Sequence, residues 1–334
     1  MLKAGVIGFG YWGPNIVRNL IATKDIKLQM ICDANVNARK RAQALYPNIE
    51  VVSDSKNVIE SDRIDVVFIV TSVSSHYPLA KAALKNGKHI FVEKPFTTSV
   101  KQAEELIALS KRKNLKIMVD HTFIFTGAVR KIKEFIDKDV LGKLNYYDST
   151  RVSLGLFQND TNVIWDLAPH DFSIIEYLIK NKPLALTAQG VDHTGYGQEN
   201  LAYITIHFSD NLLVHVNVNW LSPVKVRTTL IGGQKKMLVW DDLQSDEKIK
   251  IYDKSVKVAN KEGLYNLLID YRSGDMWSPR VEHQEALSRE IQYFVECIKK
   301  NKTPINDGQA GLRVVKMLEL SDKSLKNKGK LIKF

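Results

Sequence analysis

The sequence predicts an α/β protein in two parts: a doubly wound parallel sheet over residues 1–121, and a C-terminal α/β domain over 122–334 built on a large, predominantly antiparallel sheet. Three observations predict it. Strands alternate with helices through the first 120 residues, which implies parallel pairing with helices on both faces of a sheet. Beyond residue 121 strands follow one another with tight polar turns, the pattern of antiparallel neighbours. A chain of 334 residues also exceeds what one ordinary core encloses.

The first part begins with the short apolar strand KAGVIGF, a helix over 14–23 and the strand IKLQMICD. The helical segment NARKRAQALY, the buried strand DVVFIVT and the helix HYPLAKAALKNG follow, the last stopping at Gly87. The strand HIFVEKP, a helix over 99–113 and the strand KIMVDH complete it. After a helix over 127–138 come LNYYDSTRV, LALTAQGVDH, LAYITIHF, LLVHVNVNW, VRTTLIGG, KMLVW and KIKIYD, all strand-like. In 212–220, Leu212, Val214, Val216 and Val218 share one face, while His215, Asn217 and Asn219 form a moderately polar opposite face. Amphipathic helices over 281–300 and 308–326 close the chain.

Composition narrows the function. Hydrophobic residues at 44% and charged residues at 25% are those of a globular protein, and no apolar run approaches the length of a membrane span. The N-terminus has no basic stretch followed by an apolar core, so a cytoplasmic protein is expected. The net charge of +11 raises nucleic acid, but lysine supplies 36 of the 48 basic residues and these are scattered rather than striped, so no nucleic-acid partner is expected. Cys32 and Cys297 lie outside any CxxC or Cys/His cluster, so we expect no disulfide and no metal; Cys32, in a buried strand, is expected to be an apolar filler.

The stretch GVIGFGYWGPN carries Gly8, Gly10 and Gly13 between a strand and a helix, with Asp33 closing the second strand. That context fits a dinucleotide-binding turn. Gly8 permits the tight turn, Gly10 lets backbone approach a pyrophosphate, and Gly13 lets helix and strand pack closely. The helix start offers amides and the positive end of its dipole to the phosphates. Asp33 accepts hydrogen bonds from a ribose diol and repels a 2′-phosphate, favouring NAD over NADP, although the basic run at 39–41 opposes that repulsion. Pro14 suits a helix start. Tyr11 and Trp12 have no backbone reason to be there; they either cap the core or wall the cofactor and substrate pocket.

Two further constellations carry chemistry. Glu93, Lys94 and Pro95 sit at the carboxyl end of a strand, where ligands of open α/β sheets bind. In VIWDLAPHDF, Pro169 favours a first helical turn, making Asp166 the N-cap and placing Asp166 and His170 on one face. A histidine in a first turn is kept neutral by the dipole, as a general base requires, unless the pair is simply a cap and a packed core histidine.

Taken together, the glycine turn, VTSVSSHYPLA, EKP, the Asp-x-x-x-His pair, GDMWSPRVEHQEAL and TPINDGQAGLRVVKMLELSDKSL resemble the glucose-fructose oxidoreductase / inositol dehydrogenase (Gfo/Idh/MocA) family over essentially the whole chain. The resemblance implies a Rossmann domain followed by an α/β domain whose sheet serves a homodimer or homotetramer. It implies that Lys94 hydrogen-bonds the reacting hydroxyl beside the nicotinamide, that His170 is the acid/base, and that Asp166 orients substrate or lysine. Cofactor contacts are implied for Gly8, Phe9, Gly10, Tyr11, Trp12, Gly13, Asp33, Thr71, Ser72, His76, Glu93 and Lys94, with Trp12 nearer the nicotinamide than Tyr11. Ser72 and Val73 depart from the usual T-P step, Ala168 replaces a common glycine, and Asp120 stands before His121 where a small residue is frequent.

Within the family, GYWGPN, STRVSLG, WDLAPHD and NWLSPVKVR look most like members acting on nucleotide-linked amino sugars. That implies oxidation of the C3 hydroxyl of a UDP-linked N-acetylhexosamine to a 3-keto sugar, with Arg151 and Asn162 binding substrate. A free monosaccharide or inositol dehydrogenase, or a nucleotide-sugar ketoreductase, remains the alternative within the family. A non-catalytic dinucleotide-binding sensor or scaffold is the reading from another class; it requires Lys94 and His170 to be decorative.

Overall fold

The structure, a computed structural model, describes residues 1–155, 161–195, 197–258 and 269–334. Nine helices and fifteen strands are found among the described residues. In order they are β1 (Leu2–Ile7), α1 (Gly13–Ala22), β2 (Ile26–Cys32), α2 (Val36–Leu45), β3 (Glu50–Val52), α3 (Lys56–Ile59), β4 (Val66–Ile69), α4 (Val73–Lys85), β5 (His89–Glu93), α5 (Val100–Lys113) and β6 (Ile117–Asp120). Then follow α6 (Gly127–Asp137), β7 (Leu144–Leu154), α7 (Val163–Leu178), β8 (Pro183–Val191), β9 (Leu201–Phe208), β10 (Leu213–Asn219) and β11 (Leu221–Gly233). The last are β12 (Met237–Asp241), β13 (Ile249–Val258), β14 (Ile269–Trp277), α8 (Ala286–Lys299), α9 (Gly308–Lys326) and β15 (Ile332–Lys333).

The chain divides into two compact units, residues 1–125 with 284–319, and residues 126–283 with 320–334. Relative to a division at residue 121, the first unit takes back α8 and most of α9. A reason is visible in the first unit: Glu285 is gripped by Arg18 at 2.6 Å and by Asn19 at 3.0 Å, so the segment before α8 is tied to α1. Glu285 stays extended as the N-cap, and α8 therefore starts at Ala286 rather than at 281.

The first unit is a six-stranded parallel sheet in the order β3-β2-β1-β4-β5-β6, the doubly wound arrangement expected. Its strands are apolar on both faces, with Val66, Val67, Phe68 and Ile69 all fully buried, because helices cover both sides. In the second unit nine strands run β14-β13-β12-β11-β7-β10-β9-β8-β15. All its pairings are antiparallel except β7 with β10. Val214, Val216 and Val218 are fully buried and face α7, while His215, Asn217 and Asn219 are half-exposed on the other side. Cys32 and Cys297 are buried free thiols.

Candidate active site

In the first unit the turn from β1 to α1 is built as its glycines predict. A Cβ on Gly8, whose φ is +105°, would lie 2.0 Å from the Val70 carbonyl oxygen, and one on Gly13 would lie 2.5 Å from the Gly8 carbonyl oxygen. Gly10 faces open space. The turn therefore closes on itself at two glycines and leaves a cradle at the third. Asp33 follows β2, and its Oδ2 accepts from the Phe9 amide at 2.7 Å, so the acid stands directly beside the turn. Arg41 donates to the Phe9 carbonyl at 2.8 Å, and Arg39 donates to the Asp33 and Ala34 carbonyls at 2.9 and 2.7 Å. Both guanidinium groups from the basic run thus brace backbone. The cradle, the helix start and the acid fit NAD.

No side chain caps α1; its N-cap residue is Trp12. The Trp12 indole instead donates to Asp120 Oδ2, at the end of β6, at 3.1 Å. Tyr11 is 90% exposed and Phe9 fully buried. Thr71 and Ser72 lie between β4 and α4, with Ser75 Oγ donating to Thr71 Oγ1 at 2.6 Å. His76 is buried, its ring nitrogens 2.8 Å from the Pro95 carbonyl and 3.0 Å from the Thr71 carbonyl. It ties the segment after β4 to the segment after β5. Burial holds its pKa below the ordinary value against those two carbonyls. A neutral ring donates to only one of them. Glu93 and Lys94 stand at the carboxyl end of β5, and Glu93 is in register with Asp120.

The second unit carries Arg151, Asn162, Asp166 and His170. The N-cap of α7 is Asn162, not Asp166: the Asn162 side chain accepts from the Trp165 amide at 3.1 Å. Pro169 accordingly lies inside the helix, and His170 is beyond the first turn, where the dipole argument for its neutral form has faded. Asp166 and His170 remain four residues apart on the helix. Trp220 donates its indole N–H to Asp166 Oδ2 at 3.1 Å, fixing that carboxylate. Asn162 also donates to Glu199 and Asp322 at 3.1 and 3.3 Å. Arg151 is buried, its Nε donating to Asp171 at 2.7 Å.

Four partners in these networks carry no mark in the sequence reading: Asp171, Trp220, Glu199 and Asp322. Asp171 adjoins the predicted pair in WDLAPHD, but its buried salt bridge to Arg151 spans 20 residues and has no local signal. Among the described residues there is no cluster of three or more metal-ligating side chains and no helix long and apolar enough to cross a membrane.

Residues 2–121 match the GFO/IDH/MocA oxidoreductase family, NAD-binding Rossmann fold, and residues 129–239 match the GFO/IDH/MocA C-terminal domain. The chain belongs to this family. Among its relatives, the NAD-dependent scyllo-inositol 2-dehydrogenase of Bacillus subtilis is 25% identical over 91% of this chain and 88% of that protein. The UDP-N-acetylglucosamine 3-dehydrogenase of Acidithiobacillus ferrooxidans is 24% identical over 94% of each chain. The crystal structure of that enzyme superposes with a TM-score of 0.81 at 21% identity, covering 98% of both chains, so the two share a fold. An uncharacterised oxidoreductase of Escherichia coli, YdgJ, is 35% identical over 44% of this chain, a match that spans 42% of that protein.

Proposed function

We propose that this family member is an NAD-dependent dehydrogenase that oxidises the C3 hydroxyl of a UDP-linked N-acetylhexosamine to a 3-keto sugar. The observation that carries the oxidoreductase reading is the β1–α1 turn, where Gly10 leaves space for a pyrophosphate with Asp33 beside it. The nucleotide-sugar part rests on similarity along the whole chain to the Acidithiobacillus enzyme and on a net charge of +11, which suits a diphosphate substrate. In this reading residues 1–121 serve the cofactor and 122–334 serve the substrate and self-association. The inositol dehydrogenase relative favours a second reading, in which a free cyclitol or monosaccharide is oxidised.

Lys94 is assigned to the reacting hydroxyl, where an ammonium stabilises developing alkoxide charge. His170 takes the hydroxyl proton as general base, and Asp166, oriented by Trp220, positions substrate or lysine. NAD, held by the turn at Gly8, Gly10 and Gly13 and by Asp33, would supply the hydride acceptor for the same carbon. Thr71, Ser72, His76 and Glu93 complete the proposed cofactor contacts, with His76 acting through the two carbonyls it braces. Arg151 and Asn162 enter on motif position alone as substrate contacts.

The test is to incubate the protein with NAD and either UDP-N-acetylhexosamines or free polyols, and to follow NADH by absorbance. Each arm is repeated with 2-oxoglutarate, in case bound NADH is recycled. Turnover of a UDP-sugar is expected, and Lys94→Ala and His170→Ala should each lower kcat at least ~100-fold. Turnover of inositol with none of any UDP-sugar selects the second reading. Unchanged kcat in Lys94→Ala overturns the catalytic assignment.

A further inference from the structure

Trp12 occupies an unusual place. It is the N-cap of the helix whose amides face the cofactor cradle, yet its side chain does not cap. A serine or aspartate there would use its side chain on the first free amides of α1. Trp12 instead takes the Asn15 amide on its backbone carbonyl at 2.9 Å, keeps its side chain out of the cap, and directs its indole N–H to Asp120 at the end of β6.

Asp120 is itself held. It is 2% exposed, and Thr122, two residues beyond β6, donates its hydroxyl to Asp120 Oδ1. Behind it stands Glu290 of α8, fully buried and hydrogen-bonded to the Asp120 carboxyl. Asn306, in the segment before α9, donates to Glu290 Oε1 at 2.8 Å and to the Val119 carbonyl at 2.6 Å. Two buried carboxyl groups in contact do not both ionise at low cost, so one proton lies between them. Burial raises both carboxyl groups, and at Glu290 the charges of Asp120 and Glu93 add to it and raise it well above the ordinary carboxyl value, so the shared proton favours Glu290. Asp120 then accepts three hydrogen bonds, from Trp12, Thr122 and Glu290, and its charge is best used on the indole. Every member of this chain lies in the first unit.

We propose that Asp120 is a positioning residue of the cofactor turn: backed by Glu290 and Thr122, it holds the Trp12 indole and, through it, the open first turn of α1 in the geometry that receives the pyrophosphate. The inference rests on NAD being the cofactor. Loss of one such bond slackens the turn, so part of the binding energy of NAD is spent on ordering it.

The experiment measures the Kd of NAD by titration calorimetry on the full chain, together with the melting temperature of the cofactor-free protein. The variants are Trp12→Phe, Glu290→Gln, Glu290→Ala and the double variant Trp12→Phe/Glu290→Ala. Trp12→Phe keeps an aromatic ring and loses only the N–H; its Kd should rise about fivefold with little change in melting temperature. Glu290→Gln still donates to Asp120 and should bind NAD as the native chain does. Glu290→Ala should weaken binding about as much as Trp12→Phe, and the double variant should be no weaker than either single one, because both act through the same bond. A native chain that fails to bind NAD removes the cofactor reading and this inference with it. If the native chain binds, a Trp12→Phe Kd within twofold of native, or additive losses in the double variant, overturns the inference alone.

Discussion

His121 buries an imidazole at the end of β6 with neither ring nitrogen hydrogen-bonded, and burial, helped by the charge of Lys94, lowers its pKa to about 3. In the unfolded chain the same ring titrates near 6.5. Between those values the unfolded chain binds more protons, so His121 contributes stability that is complete above pH 6.5 and is lost as the pH falls. Glu290 acts with the opposite sign. Its raised pKa keeps the proton in the folded chain where the unfolded carboxyl has lost it, so its contribution declines as the pH rises above about 4.5. Between pH 5 and 6.5 the two contributions change with pH in opposite directions. Urea unfolding at both pH values checks this: relative to the native chain, His121→Leu should gain stability as the pH falls, and Glu290→Gln should lose it. A parallel shift of both variants would refute the assignment of charges. At this scale the sequence shows what has a local cause. Gly8 and Gly13 are legible because a Cβ has nowhere to go, and Asp33 because it must end the second strand. The Trp12–Asp120 bond spans 108 residues and has no such signature, which is why Trp12 and the acid of β6 are unexplained until the fold brings them together.

Among the elements, α7 shows how a reasonable sequence argument misplaces a boundary. Proline favours a first turn, and Asp166 precedes Pro169 at a distance that suits an N-cap. Asn162 nonetheless satisfies the Trp165 amide first, so the helix begins four residues earlier and carries the proline internally. By contrast α9 spans the expected 308–326, because its apolar spacing is regular and Asp307 accepts from the amides of Gln309 and Ala310 at 2.9 and 3.0 Å. The register of α7 against β7 is marked by the Arg151–Asp171 pair, with side chains 6% and 1% exposed and Ser149 donating to Asp171 at 2.6 Å. Breaking a buried pair by removing one partner leaves the other charge uncompensated, at about 3–5 kcal/mol. Asp171→Leu should therefore lower the unfolding free energy by about that amount, and Arg151→Met/Asp171→Leu should recover most of it. The same variants bear on the substrate assignment. A role of Arg151 confined to packing predicts unchanged KM in the double variant once it is folded, whereas a substrate contact predicts a raised KM.

For the molecule as a whole, the nine-stranded sheet supplies the reason to expect more than one copy. One face is closed by apolar side chains, Ile204, Ile206, Val214, Val216, Val218 and Ile231 among them. The other carries Tyr203 at 44%, Leu213 at 42% and Leu230 at 38% exposure, with His215 stacked on Tyr203 at 6.0 Å and bonded to Asp148 at 3.0 Å. Large apolar groups interleaved with ordered polar ones are the composition of a protein interface rather than of a solvated sheet. A second copy presenting the same face would be matched to it by a two-fold axis. Sedimentation velocity should show a dimer or tetramer of the native chain at micromolar concentration. Leu213→Glu/Leu230→Glu places two carboxylates on this face in each copy and removes two apolar contacts. Its association should weaken roughly 100-fold or more, while its cofactor-free melting temperature stays near that of the native chain at concentrations where the native chain is dissociated. A native chain that sediments as a monomer throughout, or a double variant that associates as strongly as the native chain, would assign this face to some other purpose.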